Sequence, residues 1–415
     1  REGMANKLRK DAEAIIKAAL EAAQPQRAVR RALMDFKAPS EGRVVLVAIG
    51  KAAYAMAQAA CEALNGRIDR GIVITKYGHG GGALPGILIR EAGHPVPDEN
   101  GLSATEEALG LVRGLKPRDR VLLLISGGGS ALFESPRVPL SELQDITRQL
   151  LESGADIVTM NTLRKRLSKV KGGRFALACQ PAGVFAVVLS DIIGDPLDMI
   201  ASGPAYPDSS TSGEALAAVE KYGLKLSREA LDCLKEETPK TLGQVETRIT
   251  GSVKQLCAAA AKTAEALGYT PVMLTSSLDC VAREAGAFLA AIAREHQAGP
   301  SLAYILGGET VVEVKGRGLG GRNQEIALAA ALGIRGLKGT AVFSLGSDGT
   351  DGPTDAAGGY CDGESAAVLE QMGISAAGAL LDNNAYPALK ACGGLIMTGP
   401  TGTNVNDLTV LLIKR

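Results

Sequence analysis

Several residues of this chain have the types and spacing needed to handle an anion. Lys51 stands between the apolar run 44–49 (VVLVAI) and the alanine-rich residues 52–64 (AAYAMAQAACEAL). A lysine is unfavourable at a helix N-terminus, where the macrodipole is already positive, unless an anion lies between the two. A lysine turned outward costs little, and that reading also stands. The string 124–136, LISGGGSALFESP, sets Gly127, Gly128 and Gly129 directly behind the apolar run 121–125. Consecutive glycines let backbone N–H groups converge on a phosphate while a short helix opens behind them. A tight strand-to-helix connection would use the same residues. Ser130 is excluded as an elbow nucleophile, because Gly128-Gly129-Ser130-Ala131-Leu132 lacks the closing glycine of GxSxG. No Walker sequence GxxxxGK[ST] occurs, so any nucleotide is held by another scheme.

A second glycine loop, residues 316–321 (GRGLGG), matches GxGxxG after the strand-like residues 310–315 and before the helix-like residues 323–332. No acid lies roughly 20 residues beyond Gly316 to hold a ribose, and Glu325 falls too early. What remains is a loop that delivers Arg322 to a helix N-terminus, where guanidinium and amides could clamp a phosphate or carboxylate. The alternative is a surface arginine after a flexible loop. Two acidic clusters follow strand-like runs: Asp191, Asp195 and Asp198, then Asp348, Asp351 and Asp355. Such carboxylates suit Mg²⁺, which takes one or two of them together with substrate phosphates, but aspartate also serves as an ordinary turn former. Residues 161–174 (NTLRKRLSKVKGGR) carry six positive charges. A solvated helical face is the default for such a stretch, and a patch for a polyphosphate is the alternative.

These residues need a scaffold. Short apolar runs of buried-strand type recur at 44–49, 72–75, 121–125, 184–189, 271–274, 302–306, 341–345 and 408–413, with alanine-rich helical stretches between many of them. The alternation predicts an α/β protein with largely parallel sheets, whose ligands bind beyond the carboxyl ends of the strands. A charged, strand-poor interval at 214–244 marks a division into residues 1–240 and 241–415. The chain of 415 residues is 46% hydrophobic and balances 45 basic against 45 acidic side chains, which excludes a nucleic-acid or anionic-membrane footprint and favours a small partner. Seven scattered cysteines without CxxC spacing read as buried thiols of a reducing compartment. With no signal-peptide pattern or membrane-length apolar run, a cytoplasmic protein is expected, with Met4 a candidate natural first residue.

Taken together, the motifs VAIGKAAYAMA (47–57), TKYGHG (75–80), EAGHPVPDEN (91–100), LISGGGSALFESP (124–136), RLSKVKGGRFA (166–176), LSDIIGDPLDMIASGPAYPDSST (189–211), GGETVVEVKGRGLGGRNQE (307–325), GSDGTDGPTDAAGG (346–359) and TGPTGTNVNDL (398–408) resemble the class II glycerate kinases, or glycerate 2-kinases, over essentially the whole chain. The resemblance implies two α/β domains, an N-terminal Rossmann-like parallel sheet with flanking helices and a smaller mixed C-terminal domain known as the MOFRL region, with the active site in the cleft between them. It implies transfer of the γ-phosphoryl group of ATP to the 2-hydroxyl of D-glycerate, assisted by Mg²⁺ or a similar cation. Lys51 and Arg322 occupy the positions of the family's catalytic lysine and arginine. On this basis Ser126, Gly127, Gly128, Gly129 and Ser130 are expected to cradle phosphate with Asn161, Lys169 and Lys171. Asp191 is expected as metal ligand or base, and Asp351 as a second metal ligand. Phosphoryl transfer asks mainly for positioning and charge neutralisation, which these residue types supply. The rival readings are an NAD(P)H-dependent hydroxypyruvate reductase, against which the missing acid after residues 316–321 counts, and a non-catalytic sensor of nucleotide or sugar acid. A homo-oligomer is left open.

Overall fold

The computed structural model describes residues 3–190, 192, 194 and 196–415. Two compact units divide the chain: residues 25–190 with 195–250, and residues 251–415 with 1–24 and 191–194.

The first unit is built on six parallel strands, β1 (Val44–Ile49), β2 (Arg70–Lys76), β3 (Ile87–Ala92), β4 (Arg120–Ile125), β5 (Gly183–Leu189) and β6 (Val245–Thr250), in the order β3-β2-β1-β4-β5-β6. Every residue of β1 is buried, as are Val121 to Ile125 of β4 and Val184 to Leu189 of β5. Helices cover both faces of a parallel sheet, so its central strands carry continuous apolar runs. The strand order reverses between β1 and β4, and that switch point opens a crevice at the carboxyl ends of the two strands. Lys51 lies just past the end of β1 and the triple glycine just past β4.

The second unit holds β7 (Thr270–Leu278), β8 (Leu302–Gly308), β9 (Thr340–Gly346), β10 (Gly358–Asp362), β11 (Leu395–Ile396) and β12 (Asp407–Ile413), in the order β11-β10-β9-β12-β8-β7. Only β7 and β8 pair in parallel, because β12 returns between β8 and β9 and runs antiparallel to both. This sheet is therefore mixed. The helix Met4–Ala22 belongs to this unit: Asp11 accepts from the Tyr269 hydroxyl at 2.6 Å and pairs with Lys414 at 3.5 Å.

Relative to a division after residue 240, two elements lie on the other side, namely β6, which completes the first sheet, and the N-terminal helix. The strand expected over residues 310–315 does not form. Val311 makes a single bridge to Val281, and beyond it the amides of Lys315 and Gly316 both donate to Asn383 Oδ1, at 2.8 and 2.9 Å.

Candidate active site

At the switch point of the first sheet, the loops after β1 and β4 are tied together. Lys51 N donates to Gly127 O at 2.8 Å, and Ser126 Oγ accepts from Ala52 N and donates to Ile49 O, each at 3.1 Å. Gly50 has to be glycine here: its φ is +114°, and a Cβ would stand 2.2 Å from Ser126 Oγ. Ser126 is 1% exposed and its hydroxyl is committed to this tie, so it shapes the crevice from beneath. The Lys51 side chain is half-buried and has no ion pair or hydrogen-bond partner among the described residues. A lysine left unpaired beside a helix entrance, with its backbone fixed, is what an anion site requires.

Beyond Ser126 the chain enters the left-handed region at Gly128 (φ +91°) and opens the short helix Gly129–Leu132. The amides of Gly127, Gly128, Gly129 and Ser130 meet no acceptor among the described residues. Three successive left-handed residues, Ala201, Ser202 and Gly203, close over this turn. A methyl group on Gly129 would stand 2.7 Å from Ala201 Cβ, and Ser130 Oγ lies 3.0 Å from Ser202 Oγ. Non-glycine residues in this region cost of order 1–3 kcal/mol each, and such cost concentrates at functional sites.

The basic stretch 161–174 is not a solvated helical face. Its helix ends at Arg166, a turn bridges Ser168 to Pro136, and a new helix starts at Arg174. Lys165 and Arg166 are buried: Lys165 Nζ lies 3.2 Å from Asp208, and Arg166 donates to Ser210 Oγ at 2.8 Å and to Thr162 O at 2.9 Å. Lys171 is fully buried under the glycine turn, where its ammonium donates to Ser130 O at 2.5 Å and Phe133 O at 3.2 Å and pairs with Glu134 at 3.4 Å. Burial pushes its pKa down to about 8, against the pull of Glu134. It therefore supports the short helix from below. Lys169 is exposed and pairs with Glu106 at 3.0 Å, and Asn161 is buried in the helix Ile157–Arg166. Asp191 lies outside the described residues, as does Asp195.

Sequence reasoning missed His94, which follows β3. A methyl group on Gly128 would stand 3.1 Å from His94 Cδ2, 3.2 Å from its Nε2 and 3.3 Å from Lys51 Cγ. Imidazole, lysine and glycine turn thus form one cluster. Burial, then the charges of Lys51, Lys76 and His79, hold the His94 imidazole below its ordinary pKa. Its signal in the sequence was its place within EAGHPVPDEN (91–100).

In the second unit Arg322 opens the helix Arg322–Gly333. Asp407, the first residue of β12, binds it through two hydrogen bonds, and Glu309 lies 3.3 Å from Nη1. The helix N-terminus is already capped: Asp351 Oδ1 accepts from Asn323 N at 3.1 Å and Oδ2 from Gln324 N at 2.9 Å. Asn323 Nδ2 adds a further bond to Oδ1 at 3.1 Å. Both oxygens of this buried carboxylate are engaged. Most amides of the glycine loop are engaged as well: Lys315 and Gly316 donate to Asn383 Oδ1, Arg317 to Asp382 Oδ1, Gly318 to Asp382 O and Leu319 to Asn384 Oδ1. The loop's glycines allow close packing on residues 382–385, where a Cβ on Gly316 would stand 2.3 Å from the Asp382 carbonyl. In the other cluster positions, Asp348 accepts from Thr350 N and Asp355 from the Tyr386 hydroxyl. No group of three or more His, Cys, Asp or Glu suited to a metal ion occurs among the described residues.

Models of two protein families match the chain: a domain of unknown function (DUF4147) over residues 11–235, and the MOFRL family over residues 302–407. A D-glycerate 2-kinase of Thermotoga maritima is 51% identical over 413 residues, covering 98% of each chain. A glycerate 2-kinase of Pyrococcus horikoshii is 39% identical over 428 residues, covering 95% of each. The crystal structure of glycerate kinase from Thermotoga maritima superposes with a TM-score of 0.93 at 50% identity, over 98% of this chain and 99% of that one.

Proposed function

Because the chain belongs to the class II glycerate kinase family, with a MOFRL region in its C-terminal part, we infer that it transfers the γ-phosphoryl group of ATP to the 2-hydroxyl of D-glycerate, giving 2-phosphoglycerate and ADP. The observation that carries the site reading is the pairing of an unpartnered Lys51 with glycine-turn amides that meet no acceptor among the described residues, at the switch point of a sheet ordered β3-β2-β1-β4-β5-β6. Fixed donors of this kind stabilise charge developing on a transferring phosphoryl group without reorganising at the moment of reaction. Phosphorus NMR of the product formed from ATP, Mg²⁺ and D-glycerate tests the reading. A 2-phosphoglycerate resonance supports it, and 3-phosphoglycerate overturns the regiochemistry.

Within this reading Lys51 and the amides of Gly127, Gly128 and Gly129 contact the transferred phosphoryl group. Ser126 and Lys171 hold the turn in shape from beneath, and Ser130 keys it to Ser202. Lys169 stands exposed beside Glu106, and Asn161 keeps the phosphate-side role expected of it. Arg322, in the second unit, keeps the role of catalytic cation that the family resemblance implies, with Nη1 the part of its guanidinium not held by Asp407. Mg²⁺ would neutralise the phosphates it accompanies. Asp351 is poorly placed as its ligand, since both oxygens cap the helix Arg322–Gly333. Asp191 keeps the role of base or metal ligand proposed from its position after β5.

The reductase alternative needs a dinucleotide at residues 316–321, and the commitment of the amides of residues 316 to 319 to residues 382–384 counts against it. The sensor alternative predicts binding without product, which the same NMR experiment decides. No helix among the described residues is long and apolar enough to cross a membrane. The seven cysteines are free thiols, in keeping with the cytoplasmic setting proposed from the sequence.

A further inference from the structure

Phosphorylating an alcohol releases its proton, and none of the roles above says where that proton goes, apart from the base assigned to Asp191 by position. Two carboxylates near His94 in sequence, Glu91 and Asp98, are occupied. Glu91 Oε2 accepts from Gly78 N at 2.8 Å and Gly80 N at 3.0 Å. Asp98 accepts from Gly101 N at 2.9 Å and from the Tyr77 hydroxyl at 2.5 Å. His94 differs, because neither ring nitrogen has a partner among the described residues, and its Nε2 edge lies on Gly128 beside the Lys51 stem. We propose that His94 is the general base of the reaction, its Nε2 accepting the proton of the attacking hydroxyl. The proposal rests on the kinase reading above.

The hydroxyl O–H bond breaks and its proton passes to Nε2. The freed electron pair forms the bond to the γ-phosphorus, and the bond from that phosphorus to ADP breaks with its electrons leaving on ADP. The imidazolium then returns the proton to water.

The charged groups facing His94 are Lys51 from the connection after β1, Lys76 at the end of β2 and His79 in the following loop, while the glycine turn brings none. Burial, then the charge of Lys51 and Lys76 and the neighbouring His79, favours the neutral imidazole, with a lone pair available. The phosphates of bound ATP would offset Lys51 and raise the proton affinity of the ring when the hydroxyl is in place. The acidic limb of kcat should therefore lie at higher pH than that of kcat/KM, since the two report the bound and free enzyme respectively.

The test compares the full chain with His94→Gln and His94→Ala, measuring kcat, KM for ATP, ATP binding by calorimetry and the pH profile from 5 to 9. His94→Gln is expected to lose about 10²-fold or more in kcat, to bind ATP within threefold of the original, and to lose the acidic limb. Retention of kcat and limb by His94→Gln, or loss of ATP binding in both variants, overturns the proposal. If the unaltered chain makes no phosphoglycerate by phosphorus NMR, the kinase reading fails first and the base assignment with it. If it does make product and His94→Gln matches it, only the base assignment is lost.

Discussion

Arg322 and Asp407 are joined by two parallel hydrogen bonds, Nε to Oδ2 at 2.5 Å and Nη2 to Oδ1 at 2.9 Å, across 85 residues of sequence. The fork fixes the guanidinium plane, and only Nη1 is turned elsewhere, toward the half-exposed Glu309. The catalytic role proposed for Arg322 should depend on this partner. Asp407→Asn preserves the shape of the side chain but replaces one acceptor with a donor. It is expected to lower kcat about tenfold or more, a loss of at least ~1.4 kcal/mol of transition-state stabilisation, with Asp407→Glu recovering part of it. Steady-state kinetics that match the unaltered chain would remove Arg322 orientation from the mechanism.

The same pair predicts a pH dependence of stability. At Arg322 the hydrogen bonds to Asp407 outweigh burial and hold the guanidinium above its ordinary value. At Asp407 burial wins, pushing the carboxyl up to about 6 from 3.8 despite the guanidinium. The folded chain thus binds this proton more tightly than the unfolded chain. The stability it contributes is complete below pH 3.8 and is lost as pH rises through about 6. Asp407→Asn has no such proton, so the unaltered chain should lose thermal midpoint relative to the variant between pH 5 and 7.5. A difference that stays constant over that interval contradicts the assignment.

Lys51→Ala separates function from stability. The ammonium has no partner among the described residues, so its removal strands no buried charge, and the thermal midpoint should move by less than about 2 °C. Loss of a fixed donor to the transferring group should lower kcat/KM on the order of 10²–10³-fold. Near-normal turnover would take Lys51 out of the site.

How far the sequence carried each of these residues depends on how local its signal was. Lys51 was visible because a lysine at a helix entrance conflicts with the dipole, and the conflict is confined to a few residues. The triple glycine was visible for the same kind of reason. His94 was not, because its meaning comes from Lys51 and Gly128, brought beside it by the β3-β2-β1-β4 order. Asp407 was hidden likewise, its partner lying far back in the chain.

Charge was the poorest guide. The stretch 161–174 has the composition of a solvated face, yet Lys165, Arg166 and Lys171 are buried because Asp208 and Glu134 arrive from other segments to meet them. The loop 316–321 matched a nucleotide fingerprint while its amides serve residues 382–384. Asp351 was read as a metal ligand from its place in an acidic cluster, and its carboxylate caps the helix Arg322–Gly333. In each case the partner decides the role, and distant partners leave no trace in local composition. The alternation of strand and helix, by contrast, is a local periodicity, and it brought out the α/β class.

Lys171 supplies the clearest test of that point, because a phosphate contact and an internal support predict opposite results. Its ammonium and the Glu134 carboxylate are 0% and 2% exposed, and Ser168 Oγ donates to Glu134 at 2.6 Å. Lys171→Met would leave that carboxylate buried without its cation and the carbonyls of Ser130 and Phe133 without a donor. Breaking a buried pair from one side costs about 3–5 kcal/mol, so a large drop in denaturation midpoint is expected. Adding Glu134→Gln removes the stranded charge and should restore part of the loss, a coupling that a double-mutant cycle reads directly. Because the lysine faces the underside of the glycine turn, the folded fraction of Lys171→Met should keep its KM for ATP within a few-fold. A stable Lys171→Met chain with a greatly raised KM for ATP would place the ammonium on the phosphates after all.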